Sequence, residues 1–240
     1  MKVIEIKGLT KKYKDVVAVD NLNLTINKGE LFSLLGVNGA GKSTTIKMLS
    51  CLLKPTSGDA FINGKSINED DSYIKSIIAI SPQESAVSST LTVKENLELM
   101  CELHGFKKDK TKGKVEDLSK LLSIDSVLNK RASKLSGGYK RRLSIAMALI
   151  SEPEILFLDE PTLGLDVISR SDLWDIIKSL KGKVTIILTT HYMEEAEKLS
   201  DKIAIMKDGK LLVCDTVNHI KESVNAKSIE EAFIQIVKGV

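Results

Sequence analysis

The stretch GVNGAGKST, Gly36 to Thr44, follows an apolar run, opens a helical pattern and matches the spacing G-x-x-x-x-G-K-[ST]. Glycines there let successive backbone N–H groups turn inward around phosphate oxygens, and the start of a helix adds partial positive charge. In that pattern Asn38, Gly39, Ala40, Gly41 and Thr44 line the phosphates, Lys42 reaches the β- and γ-phosphates, and Ser43 ligates Mg2+. A second stretch, ILFLDEP, sets Asp159 and Glu160 at the carboxyl end of an apolar strand, where open α/β sheets bind ligands. Asp159 is placed to hold Mg2+ from just outside its direct ligands, leaving Glu160 as general base for an attacking water. The two Asn-Lys pairs, in NKGE and NKRA, lack the Asp of a guanine-reading Asn-Lys-x-Asp, which points to ATP.

A third stretch, LSGGYKRRLSIAMAL, raises a question, because its Ser-Gly-Gly leading into an amphipathic helix is a second anion-binding pattern. Ser136 can cap that helix, and Gly137 and Gly138 permit close backbone approach. His191 ends another apolar run, VTIILTTH, while His104 and His219 match no pattern and read as surface residues.

The elements that must position these residues follow from the spacing of apolar positions. Glu30 to Gly36, Glu154 to Glu160 and Val184 to His191 are near-continuous apolar runs, as strands buried on both faces of a parallel sheet require. Between them lie helical patterns such as SRSDLWDIIKSL, with Leu173, Ile177 and Leu180 at helical spacing. Asp208-Gly209, within Lys202 to Cys214, and Asn63-Gly64 are two-residue hairpin signals. The alternating opening VIEIKGLTKKYKDVVAVDNLNLTI adds antiparallel strands. From about Glu84 to Glu152 the pattern turns helical, and Thr216 to Val240 forms an amphipathic tail. The reading is therefore α/β: a mainly parallel sheet, an antiparallel β region and an inserted helical region.

Bulk composition narrows the function. Net charge is +3, aromatics make up 4% and arginine is confined to Arg131, Arg141, Arg142 and Arg170, against the concentrated basic stripe and stacking aromatics of a nucleic-acid binder. The Lys107 to Lys114 run reads as a solvated loop. Three scattered cysteines suit neither a disulfide framework nor a zinc site and indicate a reducing compartment, the cytoplasm. The opening MKVIEIKGLTKKYK carries no export signal, and no apolar run reaches the roughly eighteen residues of a membrane span.

With LSGGYKRR just ahead of ILFLDEP, then LGLD and TTHYMEEAEKLSD, the chain resembles the nucleotide-binding subunit of ATP-binding cassette (ABC) transporters over essentially its whole length. The resemblance implies a P-loop NTPase core (residues 1–83 and 153–215), a helical subdomain carrying the signature motif (84–152) and a short tail (216–240), all in one ATPase domain. It implies that Tyr13 in KKYKD stacks on adenine. Gln83 in ISPQES would contact Mg2+ and the attacking water and sense the membrane partner. Asp166 in LGLD would communicate across a dimer, besides capping the following helix. His191 would contact the γ-phosphate and position the water of Glu160. The second anion site is likewise explained: Ser136, Gly137 and Gly138 of one subunit close on the γ-phosphate bound to the other, in a homodimer or heterodimer. Tyr139 departs from the glutamine commonest in the family, which leaves trans contacts to ribose in doubt. The partner is expected to be a separate transmembrane permease, which would hold this chain at the cytoplasmic face of the membrane. The segments LTVKENLELMCELHG and SIEEAFIQIVKG, with the short tail, resemble the ATPases of two-component (ABC-2 type) exporters. Efflux is expected, with importer ATPases and soluble non-transport ABC ATPases as the alternatives.

Overall fold

The computed structural model describes residues 1–84 and 86–239; Ser85 of ISPQES and Val240 of the tail lie outside the described residues. The chain opens with β1 (Lys2–Tyr13) and β2 (Val16–Asn27), an antiparallel pair with Tyr13 opposite Val16. Wholly buried β3 (Leu31–Leu35) leads through the phosphate-binding loop into α1 (Lys42–Leu49). Next come β4 (Ser57–Ile62) and β5 (Lys65–Ser66), joined at Asn63-Gly64, whose φ angles of 50° and 77° are those of a type I′ turn. After α2 (Asp71–Ile77) and β6 (Ile78–Ser81) the chain is helical: α3 (Val93–Leu103), α4 (Lys108–Leu121) and α5 (Gly137–Leu149). It then alternates through β7 (Ile155–Asp159), α6 (Val167–Leu180), β8 (Thr185–Thr190), α7 (Met193–Leu199) and β9 (Lys202–Lys207). The chain finishes with β10 (Lys210–Asp215), α8 (Val217–Ser223) and α9 (Ile229–Lys238).

Two sheets result, one antiparallel in the order β2-β1-β4-β5 and one in the order β10-β9-β3-β8-β7-β6. In the second, all pairs are parallel except β9 with β10, which turn at Asp208-Gly209 with φ of 48° and 78°. Apolar character on both faces puts β3, β7 and β8 in its centre, since each face is covered. One face packs with α3, α4, α5 and α6 around Leu156, Leu158, Ile186 and Leu188. The other packs with α1 and the antiparallel sheet around Phe32, Phe157 and Ile187. Each fully buried side chain of this size contributes about 1.5–3 kcal/mol. A smaller apolar cluster seats α7, α8 and α9 against Leu35, Ile203 and Ile205.

Edge strand β6 was not anticipated from the sequence, because four residues of Ile-Ala-Ile-Ser following a helix carry too little periodicity to separate strand from helix. It matters because it delivers Gln83 beside the end of β7. Parallel register does the rest of the positioning: Leu35 aligns with Thr190, Asp159 with Thr189 and Leu158 with Ser81. The segments Gly36–Gly41, Asp159–Glu160, Thr190–His191 and Pro82–Gln83 therefore all leave the sheet at one edge.

Candidate functional site

The loop from β3 to α1 can be made only with glycine at its two tight places. A Cβ on Gly36 would stand 2.4 Å from the carbonyl oxygen of Met206, and one on Gly41 would stand 2.4 Å from that of Ala18, with φ of 99° besides. Gly41 is also the N-cap of α1 and supplies no side-chain cap, so the first N–H groups of that helix stay open to an acceptor. Lys42 is buried and folds back over the loop, donating to the carbonyls of Gly36 (2.7 Å) and Val37 (3.2 Å). Its ammonium also stands 3.5 Å from Oε1 of Glu160.

Beside it, one carboxylate oxygen of Asp159 accepts hydrogen bonds from Ser43 Oγ (3.0 Å) and Thr189 Oγ1 (2.5 Å). Glu160 sits at φ 47°, a left-handed conformation that costs a non-glycine residue about 1–3 kcal/mol. What holds it there is β8: its N–H donates to Thr189 Oγ1 at 3.0 Å and to the Thr189 carbonyl at 3.2 Å. That conformation aims a buried carboxylate at two partners, Lys42 on one oxygen and Nδ1 of His191 on the other at 2.6 Å. His191 in turn lies 4.2 Å, centroid to centroid, from Tyr192, over whose ring the Arg170 guanidinium stacks at 4.7 Å.

Lys42, Ser43, Glu160 and His191 face a cavity of about 600 Å3, walled also by the rest of the loop residues 38–44, Gln83, Asp208 and the Val16–Ala18 stretch of β2. Asp159 is not among the lining residues but reaches the cavity through Ser43. Tyr13 lies elsewhere: it ends β1 half exposed, its ring under the Lys11 ammonium at 5.2 Å, and it is not among the lining residues. The hairpin instead turns Val16 and Val17 toward the cavity.

Ser136, Gly137, Gly138 and Asp166 also lie outside this cavity and form a second constellation. Ser136 caps α5 by accepting from the N–H of Tyr139 at 3.4 Å. Asp166 caps α6 by accepting from the N–H of Ser169 at 2.9 Å and its hydroxyl at 2.7 Å. The two helix starts touch, for a Cβ on Gly138 would meet Ser169 Oγ at 2.9 Å and one on Gly137 would meet Leu165 at 3.5 Å. Tyr139 packs against the helical-side core under the Arg142 guanidinium, 5.5 Å from its ring.

Sequence reasoning missed three site-neighbouring groups. Thr189 looked like a strand residue, although it orients both acids. Glu195 stands among the charges of MEEAEKL, yet it is fully buried, with one oxygen accepting from Thr162 Oγ1 (2.8 Å) and Trp174 Nε1 (3.1 Å). Desolvation raises its pKa above the ordinary 4.5, against the hydrogen bonds of Thr162 and Trp174. Arg141 stood only among the four arginines of the chain. No local signal distinguished any of the three.

The donor set beside the loop, a hydroxyl, a carboxylate and the Gln83 amide on the cavity wall, is all oxygen and suits a hard divalent cation.

A sequence profile of the family described as ABC transporter matches residues 19–163. The phospholipid-transporting ATPase ABCA3 of Homo sapiens is 41% identical over 93% of this chain, which spans 13% of that protein. The probable multidrug ABC transporter ATP-binding protein YbhF of Escherichia coli is 39% identical over 98% of this chain, which spans 42% of it. The daunorubicin/doxorubicin resistance ATP-binding protein DrrA of Streptomyces peucetius is 37% identical over 94% of this chain, which spans 68% of it. Among solved structures, an ATP-binding subunit of an ABC transporter superposes with TM-score 0.85 at 27% identity, covering 98% of this chain and 99% of its own. An ATP-binding cassette solved as a dimer in a post-hydrolysis state with ADP and Pi superposes with TM-score 0.79 at 30% identity, covering 89% of this chain and 98% of its own.

Proposed function

Because the chain belongs to the ABC transporter family as an ATP-binding, ATP-hydrolysing cassette, we propose that it closes with a second ATPase subunit around ATP to drive a separate transmembrane permease, and that it serves efflux. The observation that carries the reading is Glu160, held in a left-handed conformation between Lys42 and His191 at the mouth of the phosphate loop. A general base needs a fixed carboxylate within reach of a water beside the γ-phosphate. His191 and Thr189 supply the fixing.

Lys42 exchanges the loop carbonyls for phosphate oxygens when ATP enters, and the open N–H groups of α1 take the remaining oxygens. Ser43 and Asp159, with Gln83 on the cavity wall, are the residues that would hold Mg2+. An ion held there would supply positive charge to the phosphates. Glu160 takes the proton of the attacking water while His191 keeps its carboxylate oriented. Val16 and Val17 give the base an apolar wall, and Tyr13 stacks on adenine only if the hairpin end moves toward it.

The second constellation has its use in a dimer. The start of α5, with Ser136, Gly137 and Gly138, closes on the γ-phosphate held by the partner subunit, and Asp166 accompanies it across the interface. Exposed Val167 and Ile168 beside Asp166 suit such burial. The transmembrane pathway is assigned to a separate permease that holds this subunit at the cytoplasmic face; no helix among the described residues is long and apolar enough to cross a membrane. Its docking place is the region of Gln83 and α3, which leaves Leu99 and Leu103 exposed. Relatives named for multidrug and daunorubicin/doxorubicin resistance support efflux over import. The single domain divides as the motifs suggest, into a core of 1–83 and 153–215, a helical part of 84–152 and a tail of 216–240.

The test is Glu160→Gln with ATP and Mg2+, followed by light scattering behind size exclusion. Loss of the base and of its negative charge leaves ATP bound and traps a dimer. A variant that stays monomeric at saturating ATP overturns the shared site.

A further inference from the structure

Arg141 lies one turn into α5 and is buried, unlike a residue of a solvated basic start. Its neighbour Arg142 pairs with Asp172 at 2.7 Å. Arg141 instead donates to three backbone carbonyls: those of Ser81 (3.4 Å) and Pro82 at the end of β6, and that of Asp159 (2.8 Å) at the end of β7. These are adjacent parallel strands with Ser81 in register with Leu158. The residue after Pro82 is Gln83, and the residue after Asp159 is Glu160. One turn further along α5, Ser144 exchanges a buried 2.9 Å hydrogen bond with Ser81, so two side chains of α5 grip the end of β6.

Burial pulls the guanidinium down to about 10, with Asp159 and Glu195 opposing that shift, so it remains charged at neutral pH. Its Nε has no partner among the described residues. A buried cation held by carbonyl dipoles, with no carboxylate in hydrogen-bond contact, is an expensive way to fill space. A planar fork is, however, the side chain that can span two strand ends at once.

We propose that Arg141 is a positioning residue that fixes the separation of Gln83 and Glu160 and ties it to the orientation of α5. The helix start offered to the partner's nucleotide and the water-activating pair of the same chain then move as one body. Coupling thus runs within each subunit as well as across the dimer. The inference rests on the reading of Glu160 as base and of Gln83 as its companion.

Turnover and ATP KM of the purified full chain with ATP and Mg2+ test it, in Arg141→Met, Arg141→Lys and Asp172→Asn. Arg141→Met lowers kcat about tenfold or more with KM within about twofold, because misplaced groups cost rate rather than ground-state binding. Arg141→Lys keeps the charge without the fork and falls about three- to fivefold. Asp172→Asn removes only the Arg142 pair and leaves kcat within about twofold. A folded Arg141→Met that turns over within twofold of the parent overturns the proposal. So do a lower kcat, a raised KM and a lower melting temperature occurring together, with Arg141→Lys no better than Met. Should Arg141→Met fail to fold, Arg141→Lys decides: reduced kcat at constant KM supports the proposal, and unchanged kcat overturns it. Glu160→Gln measured alongside separates the two levels. Retained turnover there removes the underlying reading, whereas a dead Glu160→Gln beside a fully active Arg141→Met removes this inference alone.

Discussion

Glu195 is the buried acid whose replacement separates packing from charge. One of its oxygens serves both Thr162 and Trp174, and the other has no partner among the described residues. Glu195→Gln keeps an acceptor for both donors and places an amide where the unpartnered oxygen was. Glu195→Ala leaves the Trp174 N–H unsatisfied in a dry site and opens a cavity. An orphaned buried donor costs about 1–3 kcal/mol, and with the cavity the loss is about 2–5 kcal/mol. For a chain of this size that is roughly 4–20 °C in melting temperature. The pH dependence has the sign of a raised carboxyl. Burial holds the folded pKa of Glu195 above 4.5, so the native state binds its proton more tightly than the unfolded chain does. The stability this gives is complete at pH below the unfolded value and is lost as pH rises through the folded one. Glu195→Gln has no such loss. It therefore matches the parent in acid and gains on it as pH climbs from about 4.5, levelling off once the native carboxyl has ionised. Urea unfolding or calorimetry of parent, Gln and Ala forms between pH 4.5 and 8 measures this. Equal destabilisation by Gln and Ala at pH 8, or a Gln-minus-parent difference that does not change with pH, refutes the reasoning.

Other outcomes follow from single contacts. Ser136→Ala lowers hydrolysis far more than it weakens nucleotide binding by the monomer if, as proposed, it acts on the partner's nucleotide; equal loss of both, by titration and turnover, would place Ser136 in its own chain's pocket. Gly36→Ala drives a methyl into the Met206 carbonyl at 2.4 Å and costs about 1–3 kcal/mol by overpacking, with ATP affinity falling too; a variant as stable as the parent in urea would contradict the loop geometry. Thr92→Ala removes the side-chain half of the capping box of α3, the 3.1 Å bond from the Glu95 N–H to Thr92 Oγ1, while the Thr92 N–H still donates to the Glu95 carboxylate at 2.7 Å. It costs about 1 kcal/mol and leaves turnover of the isolated subunit unchanged, because α3 lies away from the cavity.

The phosphate loop, the strand-end acids and both hairpins were legible in the sequence because each depends on neighbours in the chain. Gly36, Gly41, Lys42 and Ser43 act through the backbone of one turn, and Asn63-Gly64 and Asp208-Gly209 carry their left-handed preference with them. Continuous apolar runs likewise announced β3, β7 and β8, since a strand covered on both faces leaves nothing for polar residues to meet. What distance along the chain concealed was decided by the tertiary structure. Parallel register placed Thr189 under Asp159 and Glu160, and edge strand β6 brought Gln83 to the same rim. Packing of α5 and α7 onto the sheet put Arg141 and Glu195, each written beside other charged residues, where water is excluded. A charge has a local pattern only while it is solvated; once buried, its meaning lies in the carbonyls and donors that the fold brings to it from elsewhere in the chain.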